Sequence, residues 1–264
     1  ALEIFEGLAG NDTIDGGTGF DRVDYILATT GVNVTLGGAG NGIANDGYGT
    51  TDTLINIEGI RGSAFNDTLT GSDDAGIFET FEGREGNDNI NGGGGIDQAD
   101  YYYAKAGVTV NLATGTAGDG LGGTDTLANI EDVRGSRDFN DSITGSALAN
   151  TLSGKGGNDT LSGAAGNDTL DGGTGNDSLS GGDNDDRLLA GTGVDTVDGG
   201  TAADTLVLLG DFDDYVRSRP TATDTRLVNT LTGEDITVRN VESFEFQDGT
   251  KTLSEVWNNA ISGF

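Results

Sequence analysis

Residues 154–207 read GKGGNDTLS GAAGNDTLD GGTGNDSLS GGDNDDRLL AGTGVDTVD GGTAADTLV, which is six nine-residue repeats without a gap. The first four positions of each repeat are mostly glycine, the sixth is aspartate and the eighth is aliphatic. The aspartates are Asp159, Asp168, Asp177, Asp186, Asp195 and Asp204, and the aliphatic residues are Leu161, Leu170, Leu179, Leu188, Val197 and Leu206. This regularity predicts one structural element that recurs every nine residues.

Each repeat combines a turn with a short strand. Glycine adopts positive φ at little steric cost, so the glycine-rich half favours a tight turn. Positions seven to nine alternate polar, aliphatic and polar residues, a pattern typical of a strand with one buried face. Two repeats therefore form one coil of 18 residues, with the aliphatic side chains stacked inside and the aspartates stacked along the turns.

The stacked aspartates predict a bound cation. Neighbouring strands lie about 4.8 Å apart, and two carboxylates at that distance repel by about 3–4 kcal/mol at an effective dielectric constant of about 20. Several such pairs outweigh the stability of an ordinary domain, which is about 5–15 kcal/mol. A hard cation between carboxylate and carbonyl oxygens offsets this repulsion, and calcium is the usual one.

The GGxGxDxUx pattern resembles the RTX (repeats-in-toxin) family of calcium-binding proteins. The resemblance implies an all-β fold, a right-handed parallel β-roll, with several calcium ions bound in turns between residues 18 apart. The implied pairs in this chain are Asp159 with Asp177, Asp168 with Asp186, Asp177 with Asp195, and Asp186 with Asp204. Because Asp177 serves two of these sites and Asp204 only one, we expect substitution of Asp177 to weaken calcium binding more.

The nine-residue register extends towards the N-terminus. Asp141 and Asn150 precede Asp159 at nine-residue steps, and Asn150 brings one charge fewer to its pair. Asp67 and Asp88 are 21 residues apart, and we expect them to share a column of stacked side chains despite a three-residue bulge. The complete set of predicted metal ligands is Asp12, Asp21, Asp67, Asp88, Asp97, Asp141, Asn150, Asp159, Asp168, Asp177, Asp186, Asp195 and Asp204.

The N-terminal half contains a duplication. Residues 5–25 and 81–101 align at an offset of 76, and the segments TDTLINIEGIRGS (51–63) and TDTLANIEDVRGS (124–136) align at an offset of 73. Each module therefore holds a coil of repeats, a β excursion that leaves the register, and a return to the roll. The predicted organisation is two such modules at residues 1–80 and 81–153, the uninterrupted roll at 154–207, and a C-terminal β cap at 208–264.

The C-terminal cap has a different composition from the repeats. Its longer strands contain a predicted hairpin turn at residues 231–235. Aromatic residues do not fit a nonapeptide core, so we expect four of them to cover the open end of the roll: Phe212, Tyr215, Phe244 and Phe246. Residues 254–260 predict a short helix with Ser254 as its N-cap. The ending ISGF (261–264) is compatible with the C-terminal export signal that the resemblance implies.

Composition narrows the function classes. The 264 residues include 13 Lys and Arg against 44 Asp and Glu, a net charge of −31, with no His and no Cys. This charge excludes nucleic acid as a partner, and the absence of an apolar run of about 20 residues argues against membrane insertion. Without His or Cys, catalytic triads, thiol nucleophiles and zinc sites are excluded, and we expect no enzymatic activity in this region.

A few residues outside the repeats keep two interpretations. Asp52 and Asp125 recur in both modules and either bind calcium where the excursion rejoins the roll or cap a turn. Glu58 and Glu131 fall on the position-six register and are either ligands or exposed salt-bridge partners. For the tyrosines at 101–103, we favour a core role over sugar binding.

Taken together, these features predict a calcium-binding region that folds outside a Gram-negative cell after type I secretion. The extracellular calcium concentration matches the weak affinity of extracellular modules, whereas the cytosolic concentration is far lower.

Since the chain opens within a repeat, we expect a longer parent protein. It is either a surface protein of the adhesin or S-layer type, which the duplicated modules favour, or an extracellular enzyme such as a protease, a lipase or a polysaccharide-acting enzyme. An ice-binding roll is a minor third alternative, because the threonine ladders are short. Expected partners are calcium, the secretion machinery, and other copies of the chain or a cell-surface glycan.

Overall fold

A computed structural model describes residues 2–221 and 223–258. The chain divides into two compact units, Ala1–Arg134 (unit 1) and Gly135–Phe264 (unit 2). Regular structure is almost entirely β, and most neighbouring strands pair in parallel, which confirms the predicted all-β parallel roll. The predicted export signal at residues 261–264 lies outside the described residues.

Unit 1 stacks short strands in two sheets. The strands are β1 (Glu3–Phe5), β2 (Thr13–Asp15), β3 (Asp21–Asp24), β4 (Asn33–Thr35), β5 (Asn41–Asn45), β6 (Thr51–Ile55), β7 (Gly59–Arg61), β8 (Thr68–Thr70), β9 (Phe78–Glu82), β10 (Asn89–Asn91), β11 (Ile96–Asp100), β12 (Thr109–Asn111), β13 (Thr116–Gly118), β14 (Thr124–Ala128) and β15 (Asp132–Arg134). One sheet has the order β1-β3-β7-β9-β11-β15, and all its pairs are parallel. The other has the order β2-β6-β5-β4-β8-β10-β14-β13-β12.

Each predicted excursion is a three-stranded antiparallel meander within the second sheet. Strands β4, β5 and β6 form the first meander, and β12, β13 and β14 form the second. Val34 of β4 and its neighbours Val32 and Leu36 are buried. Parallel pairing resumes on both sides of the first meander, from β2 to β6 and from β4 to β8. The insertions therefore widen the sheet without interrupting the stacking of coils.

Unit 2 contains the uninterrupted repeats and the cap. Its strands are β16 (Ser142–Thr144), β17 (Thr151–Ser153), β18 (Thr160–Ala165), β19 (Thr169–Asp171), β20 (Ser178–Asp183), β21 (Arg187–Leu189), β22 (Val194–Thr201), β23 (Thr205–Val207), β24 (Tyr215–Ser218), β25 (Thr225–Asn229), β26 (Asp235–Arg239), β27 (Ser243–Phe246) and β28 (Gly249–Thr252). Strands β16, β18, β20, β22 and β26 pair in parallel, as do β17, β19, β21, β23 and β27. Every second repeat therefore lies in the same sheet, as the coil of 18 residues requires.

Position-eight side chains form the core of unit 2. Leu161, Leu179 and Val197 face one another in register along one sheet. Leu170 and Leu188 do the same along the other. All of these side chains are at most 1% exposed. At about 25 cal/mol per Å² of buried apolar surface, such a one-residue-thick core is a modest source of stability, so the fold depends on its turns as well.

The cap continues both sheets of unit 2. Strands β24, β25 and β26 form an antiparallel meander, and the predicted turn at residues 231–235 joins β25 to β26. Phe212 and Tyr215 pack against Phe246, with ring centroids 5.1 and 5.6 Å from it. Phe244 stands in register with Leu206 and is fully buried. It therefore covers the last coil of the repeats, as the sequence predicts.

The C-terminal helix, α1, spans Leu253–Asn258, and residues 259–260 of the prediction lie outside the described residues. Ser254 is not its N-cap. Thr252 takes that role, because its hydroxyl accepts the N–H of Glu255 at 3.4 Å and its own N–H donates to the Glu255 carboxylate at 2.8 Å. This reciprocal arrangement is a capping box.

Candidate metal sites

The position-six aspartates of unit 2 form two columns. In each column one carboxylate oxygen, Oδ1, accepts the backbone N–H of the residue 18 positions earlier. The donor and acceptor pairs are Asp141 and Asp159 (2.8 Å), Asn150 and Asp168 (2.8 Å), Asp159 and Asp177 (2.9 Å), Asp168 and Asp186 (2.9 Å), Asp177 and Asp195 (2.8 Å), and Asp186 and Asp204 (2.9 Å). The structure thus brings together every 18-residue pair that the sequence predicts in this unit.

The second carboxylate oxygen, Oδ2, is the feature that points to a ligand. Asp159 is 1% exposed, and its Oδ2 is buried without a hydrogen-bond partner. A buried, unpartnered charged oxygen is strongly unfavourable in a folded protein. The same orphaned Oδ2 occurs in Asp12, Asp21, Asp88, Asp168, Asp177, Asp186, Asp195 and Asp204, and in Asp97 both carboxylate oxygens are unpartnered.

Glycine at the first position of the repeat leaves space around this oxygen. A Cβ added to Gly154 would clash with Oδ2 of Asp159, and one added to Gly163 would clash with Oδ2 of Asp168. The repeat that contains Asp195 (residues 190–198) has Ala190 at its first position instead of glycine. Alanine is therefore the largest residue at the first position of the repeats in residues 154–207.

Burial also shifts the proton affinity of the column carboxyls. Burial raises the pKa of Asp159 to about 7, and the neighbouring charges of Asp141 and Asp177 contribute to the rise. It raises the pKa of Asp168 and Asp186 to about 6 for the same main reason. These carboxyls lack the positive charge that would keep them ionised, and a divalent cation would supply it.

Unit 1 builds the same columns across its excursions. The N–H of Asp67 donates to Oδ1 of Asp88 at 2.8 Å, so these two share a column as predicted. The N–H of Asp88 in turn donates to Oδ1 of Asp125 at 3.0 Å, and that of Asp12 to Oδ1 of Asp52 at 3.0 Å. Asp52 and Asp125 therefore occupy column positions where each meander rejoins the roll.

Glutamates extend the opposite columns. The carboxylate of Glu58 accepts the N–H of Asp21 at 2.9 Å, and that of Glu131 accepts the N–H of Asp97 at 3.0 Å. Both glutamates therefore occupy position-six places in these columns. Sequence reasoning missed two further members, Glu79 and Glu242. Glu79 lies 18 residues before Asp97, a spacing that the register could have revealed.

Glu242 and Glu79 add members to the predicted columns. Glu242 accepts the N–H of Asp204 at 3.0 Å, so Asp204 is not the last member of its column. The cap thus supplies a second carboxylate neighbour for Asp204, which the 18-residue spacing alone does not reveal. Glu79 is fully buried and in register with Asp97, and its Oε1 has no hydrogen-bond partner.

Three predicted ligands differ from the rest because a serine satisfies them. Oδ2 of Asp67 accepts the N–H of Ser63 at 2.7 Å, and Oδ2 of Asp141 accepts the N–H of Ser136 at 2.7 Å. The N–H of Ser146 donates to the side-chain oxygen of Asn150, also at 2.7 Å. The orphaned oxygen that points to a cation is therefore absent from these three side chains, and a Gly-Ser pair before the turn is the sequence signal.

The column arrangement determines what kind of metal site fits. Within the described ranges, no three His, Cys, Asp or Glu side chains converge into a metal-binding group. A cation between two successive turns would therefore be held by up to two carboxylates together with backbone carbonyls. Oxygen-only, partly backbone ligation suits calcium, which accepts six to eight oxygen ligands in flexible geometry. Among the helices of the described part, none is long and apolar enough to cross a membrane.

Comparison with known families matches this geometry. A family model of the RTX calcium-binding nonapeptide repeat matches the chain in four copies, at residues 60–75, 79–99, 144–179 and 180–215. The comparison with curated proteins gave no match.

Proposed function

Because the chain contains RTX calcium-binding repeats between residues 60 and 215, we propose that it is the calcium-dependent folding region of a bacterial surface protein of the adhesin or S-layer type. In this proposal the chain leaves a Gram-negative cell through the type I machinery. The single observation that carries the calcium function is the orphaned Oδ2 of consecutive column aspartates. The duplicated modules support the surface-protein class, because repeated modules lengthen a structure.

The proposed mechanism is linkage between ion binding and folding. Most turns place one carboxylate oxygen on a backbone N–H and leave the other buried and unpartnered beside a glycine. Calcium bound to that oxygen supplies positive charge that offsets the repulsion between stacked carboxylates. A ligand that binds only the folded state stabilises it by an amount that grows with ligand concentration. Calcium-poor cytosol therefore keeps the chain open, and extracellular calcium folds it.

A calcium titration of the full chain tests this function. Circular dichroism should show little β-structure in excess chelator and a cooperative gain as free calcium approaches the millimolar range. Calorimetry on the same samples should report several bound ions. Magnesium at the same concentration is the matched control, because it prefers rigid octahedral sites and keeps its water. A chain that keeps its β-structure in chelator would contradict the proposal.

A further inference from the structure

The two excursions place an aspartate in the same loop. Asp46 follows β5 and Asp119 follows β13, at the module offset of 73. Both are buried, with 0% and 1% exposure. Oδ1 of Asp46 accepts the N–H groups of Tyr48 and Thr50 at 2.9 and 3.0 Å. Oδ1 of Asp119 accepts those of residues 121–123 at 2.8, 2.9 and 2.8 Å. The loops are therefore equivalent around Oδ1.

The second carboxylate oxygen distinguishes the loops. In the first module, the hydroxyl of Thr50 donates to Oδ2 of Asp46 and accepts the N–H of Gly10 at 3.0 Å. In the second module, Gly123 stands at the position of Thr50 and has no hydroxyl. Oδ2 of Asp119 is buried and has no hydrogen-bond partner. A threonine hydroxyl therefore satisfies Oδ2 in the first loop, and no side chain takes that place in the second.

In the second module a backbone carbonyl lies at this place. The position that a Cβ of Gly123 would take lies 2.7 Å from Oδ2 of Asp119 and nearer still to the carbonyl oxygen of Gly86. Gly86 is the counterpart of Gly10, which presents its N–H instead. Oδ2 of Asp119 therefore faces a second acceptor rather than a donor. No hydrogen-bond donor pairs with this oxygen. A hard cation would satisfy both oxygen acceptors at once.

Acidic side chains outnumber basic ones around Asp119. Its carboxylate interacts electrostatically with those of Asp88 and Asp125, and the small cavity beside it is lined by two further acidic residues and by Arg84. Asp125 itself has no free oxygen, because it accepts the N–H of Asp88 and the hydroxyl of Tyr101. The unpartnered oxygens in this region are Oδ2 of Asp88 and Oδ2 of Asp119.

We propose that Oδ2 of Asp119 and the carbonyl oxygen of Gly86 hold a calcium ion in the second module. The first module lacks this site because Thr50 fills the corresponding space. Asp119 lies six residues before the column residue Asp125, so the site is outside the nine-residue register. The inference rests on the proposed function for the identity of the ion. It makes the duplicated modules unequal in ion content.

Anomalous diffraction on the full chain tests the site directly. Crystals grown with terbium in place of calcium should show a peak between Asp119 and Gly86 and none between Asp46 and Gly10. Asp119→Asn should remove that peak and leave those of the repeats. Only water, or no density, at Asp119 beside occupied repeat sites would overturn this inference alone. Unoccupied repeat sites would instead overturn the proposed calcium function.

A solution measurement adds a matched control. Asp119→Asn should shift the calcium midpoint of folding to higher concentration, because one ion fewer stabilises the folded chain. Asp46→Asn removes an equally buried charge from the loop that Thr50 closes, and its midpoint should stay at the wild-type value. Equal shifts in the two variants would indicate a turn-forming role shared by both loops and would overturn the proposed site.

Discussion

The uninterrupted repeats of unit 2 and the duplicated modules of unit 1 each build the same kind of carboxylate column, but from different sequence spacings. In unit 2, successive column members are 18 residues apart, as in Asp159 and Asp177. In unit 1, the same N–H to carboxylate bond joins residues 21 apart at Asp67 and Asp88, and 37 apart at Asp88 and Asp125. Bond lengths nevertheless stay between 2.8 and 3.0 Å. The stacking of coils is therefore preserved, and the chain between stacked turns is free to vary.

The excursions are tolerated because they grow sideways within the sheet. Each adds two antiparallel strands between neighbouring coils, and the backbone groups of those strands find partners in the meander itself. A hydrogen-bonded insertion leaves no unpaired edge inside the stack. Unit 1 thus holds self-paired antiparallel strands within its second sheet, whereas successive coils of the unit 2 repeats pair directly in parallel.

Removing calcium should have the largest effect and should separate the two regions. As free calcium falls, we expect amide exchange to appear first in residues 141–207 and later in the meander at 33–55. The reason is that unit 2 stacks more turns with orphaned carboxylates on a thin core. Hydrogen exchange with mass spectrometry on the full chain, across a calcium series, measures the order. Earlier exchange in the meander would contradict this comparison.

Acidification should have the next largest effect, with opposite signs in the presence and absence of calcium. Folding raises the pKa of Asp159 to about 7 and of Asp88 to about 8, compared with about 3.9 in an unfolded chain. The ionised groups therefore destabilise the calcium-free fold increasingly as pH rises through this window. Lowering the pH from about 8 to about 5 should increase β-structure without calcium, as circular dichroism would show.

With calcium present, the same acidification should weaken binding, because protons compete with the ion for the carboxylates. Calorimetry at several pH values measures this. A calcium-free chain that loses structure on mild acidification would show that the column carboxyls are not the destabilising groups.

Substitution of one column member should have a smaller but clear effect. Asp177→Asn keeps an oxygen for the N–H of Asp159 but removes a charged ligand. It should raise the calcium midpoint of folding by about tenfold or more, at about 1.4 kcal/mol for each factor of ten. Asp171→Asn, which removes the same charge from a residue outside the column, is the matched control. Asp204→Asn should resemble Asp177→Asn because Glu242 continues its column, and a much milder Asp204→Asn would argue against that continuation.

Filling the space beside a free carboxylate oxygen should have the smallest of these effects. Gly163→Ala places a Cβ against Oδ2 of Asp168 and should destabilise the calcium-bound chain by about 1–3 kcal/mol, a typical cost of overpacking. Gly76→Ala is the control, because its nearest neighbour would lie 3.8 Å away. Thermal unfolding in saturating calcium compares the two. Equal melting temperatures would mean that the turn adapts, as the repeat with Ala190 already does.

Local patterns were sufficient to predict the roll and most of its columns. Each nine-residue repeat has an aspartate at its sixth position and an aliphatic residue at its eighth. This pattern allows only one stacking in which the same side chains recur with each coil. Even the broken spacing at Asp67 and Asp88 was predictable, because a three-residue bulge preserves the register. Glu79 and Glu242 escaped because glutamate replaces aspartate, and because Glu242 lies in the cap.

What the sequence determined by itself is therefore the period, the coil, and the column aspartates of residues 141–204, since these follow from local turn and strand preferences repeated without change. Only the tertiary structure decided which carboxylates keep a free oxygen. Ser63 and Ser136 satisfy Asp67 and Asp141, and Thr50 satisfies Asp46, whereas the equivalent Asp119 keeps an unpartnered oxygen. The physical reason is that hydrogen-bond satisfaction depends on neighbours brought together by folding, up to 40 residues away in the case of Thr50 and Gly10.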